Sequence, residues 1–372
     1  MPEKRLPVVL IPSLEPDDRL PAYVSELMAS GFSRIVVVND GSSPDYQPVF
    51  DRISALGATV LGYEVNRGKG YALKTGYRWI LEHEPDCAGV LTADADGQHT
   101  VPDCLRLAEK LAEEPDALWL GSRDFDLPNI PPKSRFGNRM TSVVFKLLHG
   151  VWLPDTQTGL RAFRPEELPF MISVEGDRYE YEMNVLIGAA RRKLPIRPLT
   201  IETVYENNNE GTHFHPIRDS WRIYKVILGS FIRFMASSLI CFAVDYLLFN
   251  LLFYLLFPAL GVHLNVALPL GLTLDDRSLS NYTARVFSSA LNFILNRGVV
   301  FKAKDSKGAA WRYIATCVLI IVLSTLGIKG LGAIGVPEWL GKLICDTLLY
   351  FVSYFIQRKW VFAGNRKEGA HA

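Results

Sequence analysis

The sequence lacks any excess of charge, since its 372 residues include 40 Lys and Arg against 39 Asp and Glu, a formal net charge of +1. A balanced chain has no basic field to attract a polyanion, so we expect no nucleic-acid partner. The chain is also poor in cysteine, with five residues that form no C-x-x-C pair and no metal-ligand spacing. This absence excludes a disulfide scaffold or a zinc ribbon and fits a reducing compartment.

The N-terminus lacks the apolar core of a signal peptide, because Met-Pro-Glu-Lys-Arg leads at once into a strand-like segment. We therefore expect the first part of the chain to lie in the cytosol. Long apolar runs are missing before about residue 225 and frequent from Phe231 onward, where they suit bilayer spans of about 20 residues. The composition predicts a soluble domain over 1–215, a juxtamembrane amphipathic helix over 216–230 and a transmembrane domain over 231–363.

Strand-like and helix-like segments alternate through the first domain. Strand-like runs fall near 6–11, 34–38, 59–63, 90–91, 117–121 and 196–204, with helical patterns near 19–30, 71–82 and 102–114. This alternation predicts an α/β fold, in which ligands bind at the carboxyl edge of the sheet.

Two alternating carboxylates follow one of these buried strands, in the segment L-T-A-D-A-D-G-Q-H. Asp94 and Asp96 at positions i and i+2 of a turn can both reach one hard cation, with the Gln98 amide oxygen as a third ligand. Such a cation, Mg²⁺ or Mn²⁺, can neutralise a leaving diphosphate. The alternative is a solvated acidic turn, which an isolated D-x-D usually is.

Two further loops suit a nucleotide. Asp40 ends a strand in N-D-G-S and can accept hydrogen bonds from a base or ribose. The segment N-R-G-K-G places Arg67 and Lys69 beside glycines at the start of a helix, where backbone N–H groups can approach an anion. It matches neither a Walker loop nor G-x-G-x-x-G, so a plain tight loop is the alternative.

Basic and acidic side chains later in the domain add a second candidate group. Arg123 follows a strand, and Ser134, Arg135 and Arg139 lie near a proline-rich loop, where bases suit a second anionic ligand. The acidic candidates are Asp155, Glu180 and Glu182. For the last two, the start of a helix offers a structural explanation, because the helix dipole favours acids there.

Taken in order, V-V-N-D-G-S, N-R-G-K-G, A-D-A-D-G-Q-H, G-S-R, D-T-Q-T-G-L-R and Y-E-Y-E-M resemble family 2 glycosyltransferases with a GT-A fold, in particular the polyprenyl-phosphate (dolichyl-phosphate) hexose synthases. The resemblance covers about residues 6–225 and implies a Rossmann-like mixed sheet. It implies that Asp40 binds the nucleotide, that Asp94 contacts metal and nucleotide, and that Asp96 and Gln98 complete the metal site. It further implies that Arg123 and Arg135 or Arg139 grip an acceptor phosphate.

The sequence departs from that family pattern in three places. The opening loop begins with Pro12, which we group with the donor-binding residues, but P-S-L-E-P replaces the usual P-x-Y-N-E. Near the end of the domain, N-E-G-T-H-F-H stands where the family often has R-x-x-G-x-S-K, so His213 and His215 are candidates to replace a lysine contact. The Q-x-x-R-W motif of processive polysaccharide synthases is absent, which argues against a polymerase.

The second half predicts an all-α transmembrane domain of four helices, with spans at about 231–257, 280–301, 311–333 and 341–362. It contains an internal repeat, because residues 292–301 align without a gap on residues 353–362. This half resembles the GtrA-like membrane domains. Asp245 and Asp346 lie within predicted spans, where acids are functional candidates; Arg285, Arg297 and Lys342 are alternative structural partners.

Positive charge predicts the orientation of these spans. Basic residues occupy one loop and the segment after the last span, while the opposite loops have few, so both termini and the catalytic domain should be cytosolic in a multi-pass protein of a bacterial-type inner membrane. These basic residues are Lys302, Lys304, Lys307, Arg312, Arg358, Lys359, Arg366 and Lys367.

The sequence thus predicts an inverting hexose transfer from a nucleotide-diphosphate sugar (UDP-glucose or GDP-mannose type) to a membrane polyprenyl phosphate. One alternative is a lipid glycosyltransferase with a hydroxyl acceptor, which would need a base such as Asp155 or Glu180. Another is a flippase or binding protein for a lipid-linked sugar. The sequence leaves open whether the chain forms a homo-oligomer.

Overall fold

The computed structural model describes residues 6–127, 130, 132–202, 224–261, 265–267, 273–301, 303 and 308–362. The chain divides into two compact units, Met1–Ile227 and Leu228–Ala372, and each has a hydrophobic core of its own.

The first unit is built on a seven-stranded mixed sheet with the strand order β3-β2-β1-β4-β6-β5-β7. Strand β6 runs antiparallel to β4 and β5, and all the other pairs are parallel. All six residues of β1 are buried, as expected for a central strand covered on both faces. The strands are β1 Val8–Ser13, β2 Ile35–Asp40, β3 Thr59–Tyr63, β4 Val90–Thr92, β5 Leu118–Arg123, β6 Arg161–Phe163 and β7 Ile196–Ile201.

Seven helices of the first unit connect these strands. The start of α4 shows the local logic: Thr100 caps the helix by accepting a hydrogen bond from the Asp103 N–H, and Pro102 occupies the first turn, where its missing N–H costs nothing. The helices are α1 Arg19–Ala29, α2 Gln47–Ala55, α3 Lys69–His83, α4 Val101–Glu113, α5 Pro132–His149, α6 Leu168–Ser173 and α7 Glu180–Arg192.

The core of this unit packs helix stripes against the sheet. Leu20, Val24 and Leu27 recur at helical spacing on α1 and are fully buried, as are Cys104 and Leu107 on α4. Each large apolar side chain buried in this way contributes about 1.5–3 kcal/mol relative to exposure. The packing fixes the strands whose carboxyl ends carry the candidate site.

Strand β6 brings a distant loop to the edge of β4. Leu91 of β4 pairs with Ala162, and the Thr92 hydroxyl donates a 2.7 Å hydrogen bond to the carbonyl of Gly159. The loop that leads into β6 therefore lies beside the residues that follow β4, although about 65 residues separate the two segments in sequence.

The second unit contains four long helices at the positions of the four predicted spans. They are α8 Gly229–Asn250, α9 Asp276–Leu295, α10 Ala309–Ala333 and α11 Glu338–Ile356. Helix α8 packs on α9, and α10 packs on α11. A short two-stranded sheet, β8 Asn265–Ala267 and β9 Thr273–Asp275, precedes α9.

Among the described residues, one helical segment is long and apolar enough to cross a membrane, Gly229–Ala259, in which α8 is continued by a π-helical turn, Leu251–Leu256, and a short helical turn, Phe257–Ala259. A shorter apolar stretch covers Ala309–Ile320. The predicted number of four spans is therefore not confirmed. Helix α9 is less apolar than a membrane span requires, because charged residues and several Ser and Asn residues lie among its apolar positions. The charged residues are Asp276, Arg277 and Arg285.

The two copies of the internal repeat end in the same local structure. Each closes with a π-helical turn, at Asn296–Val300 in the first copy and Gln357–Val361 in the second. In both, the next residue, Phe301 or Phe362, donates its N–H to the carbonyl of the first residue of the turn at 2.9 Å. The sequence repeat is thus also a structural repeat.

Equivalent residues of the two copies contact each other. Asn296 donates a 2.9 Å hydrogen bond from Nδ2 to Oε1 of Gln357, and both side chains are buried. The rings of Phe301 and Phe362 stack with centroids 5.2 Å apart. The contacts that flank this pair are reciprocal: Phe293 with Phe362 at 5.7 Å and Tyr354 with Phe301 at 5.9 Å.

Candidate active site

The candidate site lies at the carboxyl ends of β2 and β4. Asp40 is the last residue of β2, and Asp94 follows the end of β4 by two residues. Pro12 lies in the neighbouring strand β1, paired with Val38. Because these strands are parallel, their ends meet at one edge of the sheet, as in other open α/β folds.

Asp40 holds the loop that leads into α3. Its carboxylate accepts hydrogen bonds from the Tyr63 hydroxyl at 2.6 Å, the Arg67 N–H at 2.9 Å and the Gly68 N–H at 2.9 Å. Gly68 has φ +103°, and a Cβ there would lie 2.6 Å from the Asp177 carbonyl oxygen, so only glycine fits. The structure thus gives Asp40 a loop-fixing role that the sequence did not reveal.

Lys69, the first residue of α3, forms two ion pairs. Its Nζ lies 2.6 Å from Oδ1 of Asp94 and 3.0 Å from Oε1 of Glu182. Burial lowers the pKa of the Lys69 ammonium, but the Asp94 and Glu182 carboxylates outweigh burial and raise this pKa above its usual value. Lys69 therefore carries a full positive charge between two acids that the sequence places 88 residues apart.

Asp94 is confined on its other side by Gly159. A Cβ at residue 159 would lie 2.5 Å from both carboxylate oxygens of Asp94, so the absence of a side chain there makes room for the acid. Burial raises the pKa of the Asp94 carboxyl, but the Lys69 ammonium and other nearby bases outweigh burial and lower it to about 2. Asp94 is thus held as a carboxylate.

His99 supports the main chain of this turn. Its Nδ1 accepts a 3.0 Å hydrogen bond from the Asp94 N–H, and its Nε2 lies 4.0 Å from Oδ2 of Asp94. A ring nitrogen that accepts a hydrogen bond is unprotonated, and burial lowers the pKa of His99, so the ring is neutral. His99 therefore positions Asp94 without neutralising it.

The residues of the acidic turn fit a hard divalent cation. Asp96 lies two residues beyond Asp94 in this turn, and burial and repulsion from Asp94 raise the pKa of the Asp96 carboxyl. The Gln98 N–H donates to Oδ1 of Asp96 at 3.1 Å and fixes the turn. In the part of the chain that the structure describes, no three His, Cys, Asp or Glu side chains form a closed metal cage. Mg²⁺ commonly uses one or two carboxylates and takes its other ligands from phosphates and water.

Arg123, which is partly exposed, forms an ion pair with the buried Asp155. Nε and Nη2 of Arg123 donate to the two carboxylate oxygens at 2.8 and 3.3 Å, and the Gln157 N–H donates to Oδ1 at 2.9 Å. Asp155 has no exposed surface. Its carboxylate is thus committed to orienting Arg123 and has no face for a substrate hydroxyl.

The other predicted acceptor residues lie at the start of α5. Arg135 donates from Nε and Nη2 to the carbonyls of Phe125 and Leu127 at 2.9 and 2.8 Å, so it fixes the loop that follows β5. Ser134 and Arg139 are exposed on α5. His213 and His215 lie outside the described residues.

Of the acids in α7, Glu182 reaches the site and Glu180 serves the start of the helix. Glu180 accepts a 3.3 Å hydrogen bond from the Arg178 N–H, while Glu182 pairs with Lys69. Arg161, which is not among the site residues predicted from sequence, is buried in β6 and donates to the carbonyls of Thr158 and Glu182. Its position in the D-T-Q-T-G-L-R motif was the available signal.

An exposed apolar stripe runs along α5. Phe136, Met140, Val143 and Leu147 recur at helical spacing with 39–68% of each side chain exposed, and Trp152 follows with 47%. The amine of Lys146 lies 5.6 Å from the Trp152 ring centroid. Apolar side chains edged by bases are typical of helices that bind a bilayer surface. The spacing is visible in the sequence, but it does not tell an exposed stripe from a buried one.

In the second unit, Asp245 has a defined partner. Oδ1 accepts a 2.9 Å hydrogen bond from the Ser288 hydroxyl, and Oδ2 lies 3.6 Å from Nε of Arg285. Of the partners considered from sequence, this selects Arg285, because Arg297 donates instead to the Ala303 carbonyl. The side chains of Lys342 and Asp346 are outside the described part of the structure.

Two sequence families match the chain. Glycosyl transferase family 2 matches residues 9–173, and the GtrA/DPMS transmembrane domain matches residues 233–362. The chain is 30% identical over 228 residues to an uncharacterised protein of Methanocaldococcus jannaschii. The match covers 59% of this chain and 90% of that protein.

Two relatives with functional names are also similar to this chain. The UDP-N-acetylglucosamine–dolichyl-phosphate N-acetylglucosaminyltransferase of Methanococcus voltae is 27% identical, over 54% of this chain and 86% of its own. Glycosyltransferase AglJ of Haloferax volcanii is 26% identical, over 60% and 71%. Among solved structures, glucosyl-3-phosphoglycerate synthase from Mycobacterium tuberculosis with Mg²⁺ and UDP superposes with a TM-score of 0.45 and 18% identity, over 60% of this chain and 79% of that one.

Proposed function

We propose that this chain transfers a hexose from a nucleotide-diphosphate sugar to a membrane polyprenyl phosphate. The chain belongs to glycosyl transferase family 2 and carries a C-terminal GtrA/DPMS transmembrane domain. The single observation that carries the proposal is the contact between Lys69 of the glycine-flanked loop and Asp94 of the acidic turn. It joins a group suited to a diphosphate and a group suited to a metal at one edge of the sheet.

The donor binds at this edge. Asp94, Asp96 and the Gln98 amide would hold Mg²⁺ or Mn²⁺, which when bound would neutralise charge on the departing diphosphate. Asp40 keeps the loop at Arg67 and Gly68 in place, so that the N–H groups and bases at the start of α3 can meet the phosphates. The nucleotide base and ribose lie towards Asp40 and Pro12.

The acceptor phosphate needs positively charged side chains to hold it, and it needs no catalytic base. A phosphate monoester is ionised near neutral pH, so its oxygen can attack the anomeric carbon directly, and catalysis consists of placing two anions in line. Arg123, oriented by Asp155, and the bases of α5 supply the grip, since a guanidinium binds phosphate through two parallel hydrogen bonds. One displacement inverts the anomeric centre, so an α-linked donor gives a β-linked lipid.

The buried state of Asp155 favours this acceptor over a lipid alcohol. A hydroxyl acceptor needs a base within reach, and Asp155, one of the two candidates, is fully buried and paired with Arg123. A lipid phosphate needs no such base.

The lipid substrate is met at a bilayer surface. We propose that the exposed stripe of α5 lies in that surface and that all four long helices of the second unit cross the membrane. The basic residues after α9 and α11 then face the cytosol, together with both termini and the catalytic unit, in a bacterial-type inner membrane.

The decisive experiment supplies purified full-length protein with polyprenyl phosphate, Mg²⁺ or Mn²⁺ and a panel of nucleotide sugars. The panel includes UDP-glucose, GDP-mannose and UDP-N-acetylglucosamine, and polyprenol without the phosphate is the matched acceptor control. We expect a polyprenyl-phosphate sugar from at least one donor and no product from polyprenol. Transfer to polyprenol alone, or no transfer from any donor, would refute the proposal.

A further inference from the structure

The Lys69 ammonium occupies a position at the Asp94 carboxylate for which a metal ion would compete. The ammonium is largely buried, with 17% of the side chain exposed, and lies 2.6 Å from Oδ1 of Asp94, a proposed metal ligand. The same ammonium lies 3.0 Å from Glu182. One ammonium is therefore paired with two carboxylates, and Asp96 follows two residues after Asp94 in the same turn.

The backbone around Lys69 is fixed, so this contact is built into the fold. Asp40 binds the N–H of Gly68, and the Tyr71 N–H donates to the Asp177 carbonyl at 2.9 Å. A Cβ on Gly70 would lie 2.5 Å from Cβ of Tyr181, so α3 packs closely on the segment that carries Glu182. The loop can present its lysine to Asp94 and Glu182 in only a narrow range of positions.

Other bases near the acidic turn have partners of their own. Arg123 is held by Asp155, and Arg161 donates to the carbonyls of Thr158 and Glu182. His99 is neutral where it accepts from the Asp94 N–H. Among the described residues, the Lys69 ammonium forms the 2.6 Å ion pair with the Asp94 carboxylate.

We infer that Lys69 is an internal counter-ion of Asp94 that a divalent cation must displace, and that displacement is favourable only when a nucleoside diphosphate offers Lys69 new anionic oxygens. This inference deepens the proposed function and rests on it for the identity of the diphosphate. Its physical basis is simple repulsion, because a lone divalent cation at Asp94 would sit beside an ammonium in a poorly solvated site.

The consequence is that metal and nucleotide bind synergistically. A metal that arrives with the diphosphate brings more negative than positive charge, so the lysine gains partners rather than losing one. Coupling between two ligands at adjacent positions typically changes affinity by about 5- to 150-fold. By thermodynamic reciprocity, the metal should raise the affinity for the nucleotide by the same factor.

The test measures Mn²⁺ binding to full-length protein in detergent, from the electron paramagnetic resonance signal of free Mn²⁺, with and without UDP or GDP. Lys69→Met removes the charge but keeps the length of the side chain, and Lys69→Arg keeps the charge. Lys74→Met is the matched control, because Lys74 lies on the same helix but pairs with Asp177. Thermal unfolding checks each variant, and Lys69→Gln replaces Lys69→Met if the latter does not fold.

For the wild type we expect weak Mn²⁺ binding that tightens by roughly tenfold or more with UDP or GDP. Lys69→Met should bind Mn²⁺ alone more tightly than the wild type and lose most of the effect of the nucleotide, whereas Lys69→Arg and Lys74→Met should resemble the wild type. The inference is overturned if Lys69→Met binds Mn²⁺ alone no more tightly than the wild type and retains the full effect of the nucleotide. The Mn²⁺ comparison requires no sugar transfer, so an enzyme that used none of the donors would refute the proposed function and leave this result standing.

Discussion

Asn296 and Gln357 occupy the same position in the two copies of the membrane repeat, and they are hydrogen-bonded to each other at 2.9 Å between Nδ2 and Oε1. Both side chains are almost completely buried, and Ser237 donates to Oδ1 of Asn296 at 3.0 Å. The two copies are therefore joined by a buried polar contact.

Replacing one member of this pair should destabilise the second unit. Asn296→Leu leaves Oε1 of Gln357 buried without its donor, at a cost of about 1–3 kcal/mol. The double variant Asn296→Leu with Gln357→Leu should recover part of that loss. Thermal unfolding in detergent measures both, and Asn250→Leu is the control, since Asn250 donates to the Tyr246 carbonyl of its own helix. Equal unfolding temperatures for Asn296→Leu and Asn250→Leu would contradict the prediction.

Gly159→Ala should abolish sugar transfer. The new methyl group would lie 2.5 Å from both oxygens of Asp94, so the carboxylate must shift from its present position. We expect at least a ~100-fold loss in kcat/KM, as is typical when an electrostatic group of an active site is displaced. Gly137→Ala is the matched control, because nothing lies within 4 Å of its added Cβ and alanine favours a helix. Similar activity in the two variants would show that Asp94 is not confined in this way.

Asp96→Asn should leave the protein folded and remove metal-dependent transfer. The substitution keeps the shape of the side chain but removes one of two charges that would hold the cation, so we expect a loss of about 100-fold or more. Transfer rates across a series of Mg²⁺ and Mn²⁺ concentrations provide the measurement. Asp51→Asn, on exposed surface of α2, serves as the control. Full wild-type activity in excess chelator would rule out the metal altogether.

Arg135→Ala should weaken the use of lipid phosphate more than the binding of the donor. Arg135 donates to the carbonyls of Phe125 and Leu127, so its loss both removes a base and loosens the loop after β5. We expect a higher KM for polyprenyl phosphate, by about tenfold for a lost charge-assisted contact, with an unchanged Kd for the nucleotide. An equal loss of nucleotide affinity would assign Arg135 to the donor instead.

Polar residues in the apolar stripe of α5 should impair access to the lipid. Phe136→Gln with Leu147→Gln removes two of the most exposed apolar side chains of that helix. Each such side chain contributes on the order of 1.5 kcal/mol when buried, and about 1.4 kcal/mol corresponds to tenfold, so losing both should raise the KM for polyprenyl phosphate in vesicles by roughly 100-fold. Leu81→Gln, exposed on α3, is the control and should change nothing. An unaffected KM would mean that α5 does not lie on the bilayer.

The parts of the fold that were predictable from sequence are those with long, regular patterns. Buried strands such as β1 and β2 and helices such as α1 and α4 follow from apolar periodicity. Helices α2 and α6 did not, because nine and six residues give too few turns for a period to show.

The contacts of the candidate site were less accessible to sequence reasoning. The acidic turn was visible because Asp94 and Asp96 are neighbours. Lys69 with Glu182 and Arg123 with Asp155 are pairs formed by distant segments that the sheet order brings together, and no local pattern encodes a partner 113 or 32 residues away. The same limit applies to Asp245, whose sequence leaves several bases within reach while the packing of α8 on α9 selects Arg285.

The reciprocal contacts of Phe293, Phe301, Tyr354 and Phe362 have a bearing on how this membrane unit arose. Contacts between like positions are those of a symmetric homodimer, in which one surface meets its own copy. Two identical hairpins that associated through this surface would make the same reciprocal contacts. Because the two hairpins are joined in one chain, each half can change alone, and Asn296 and Gln357 already differ at one position of the repeat.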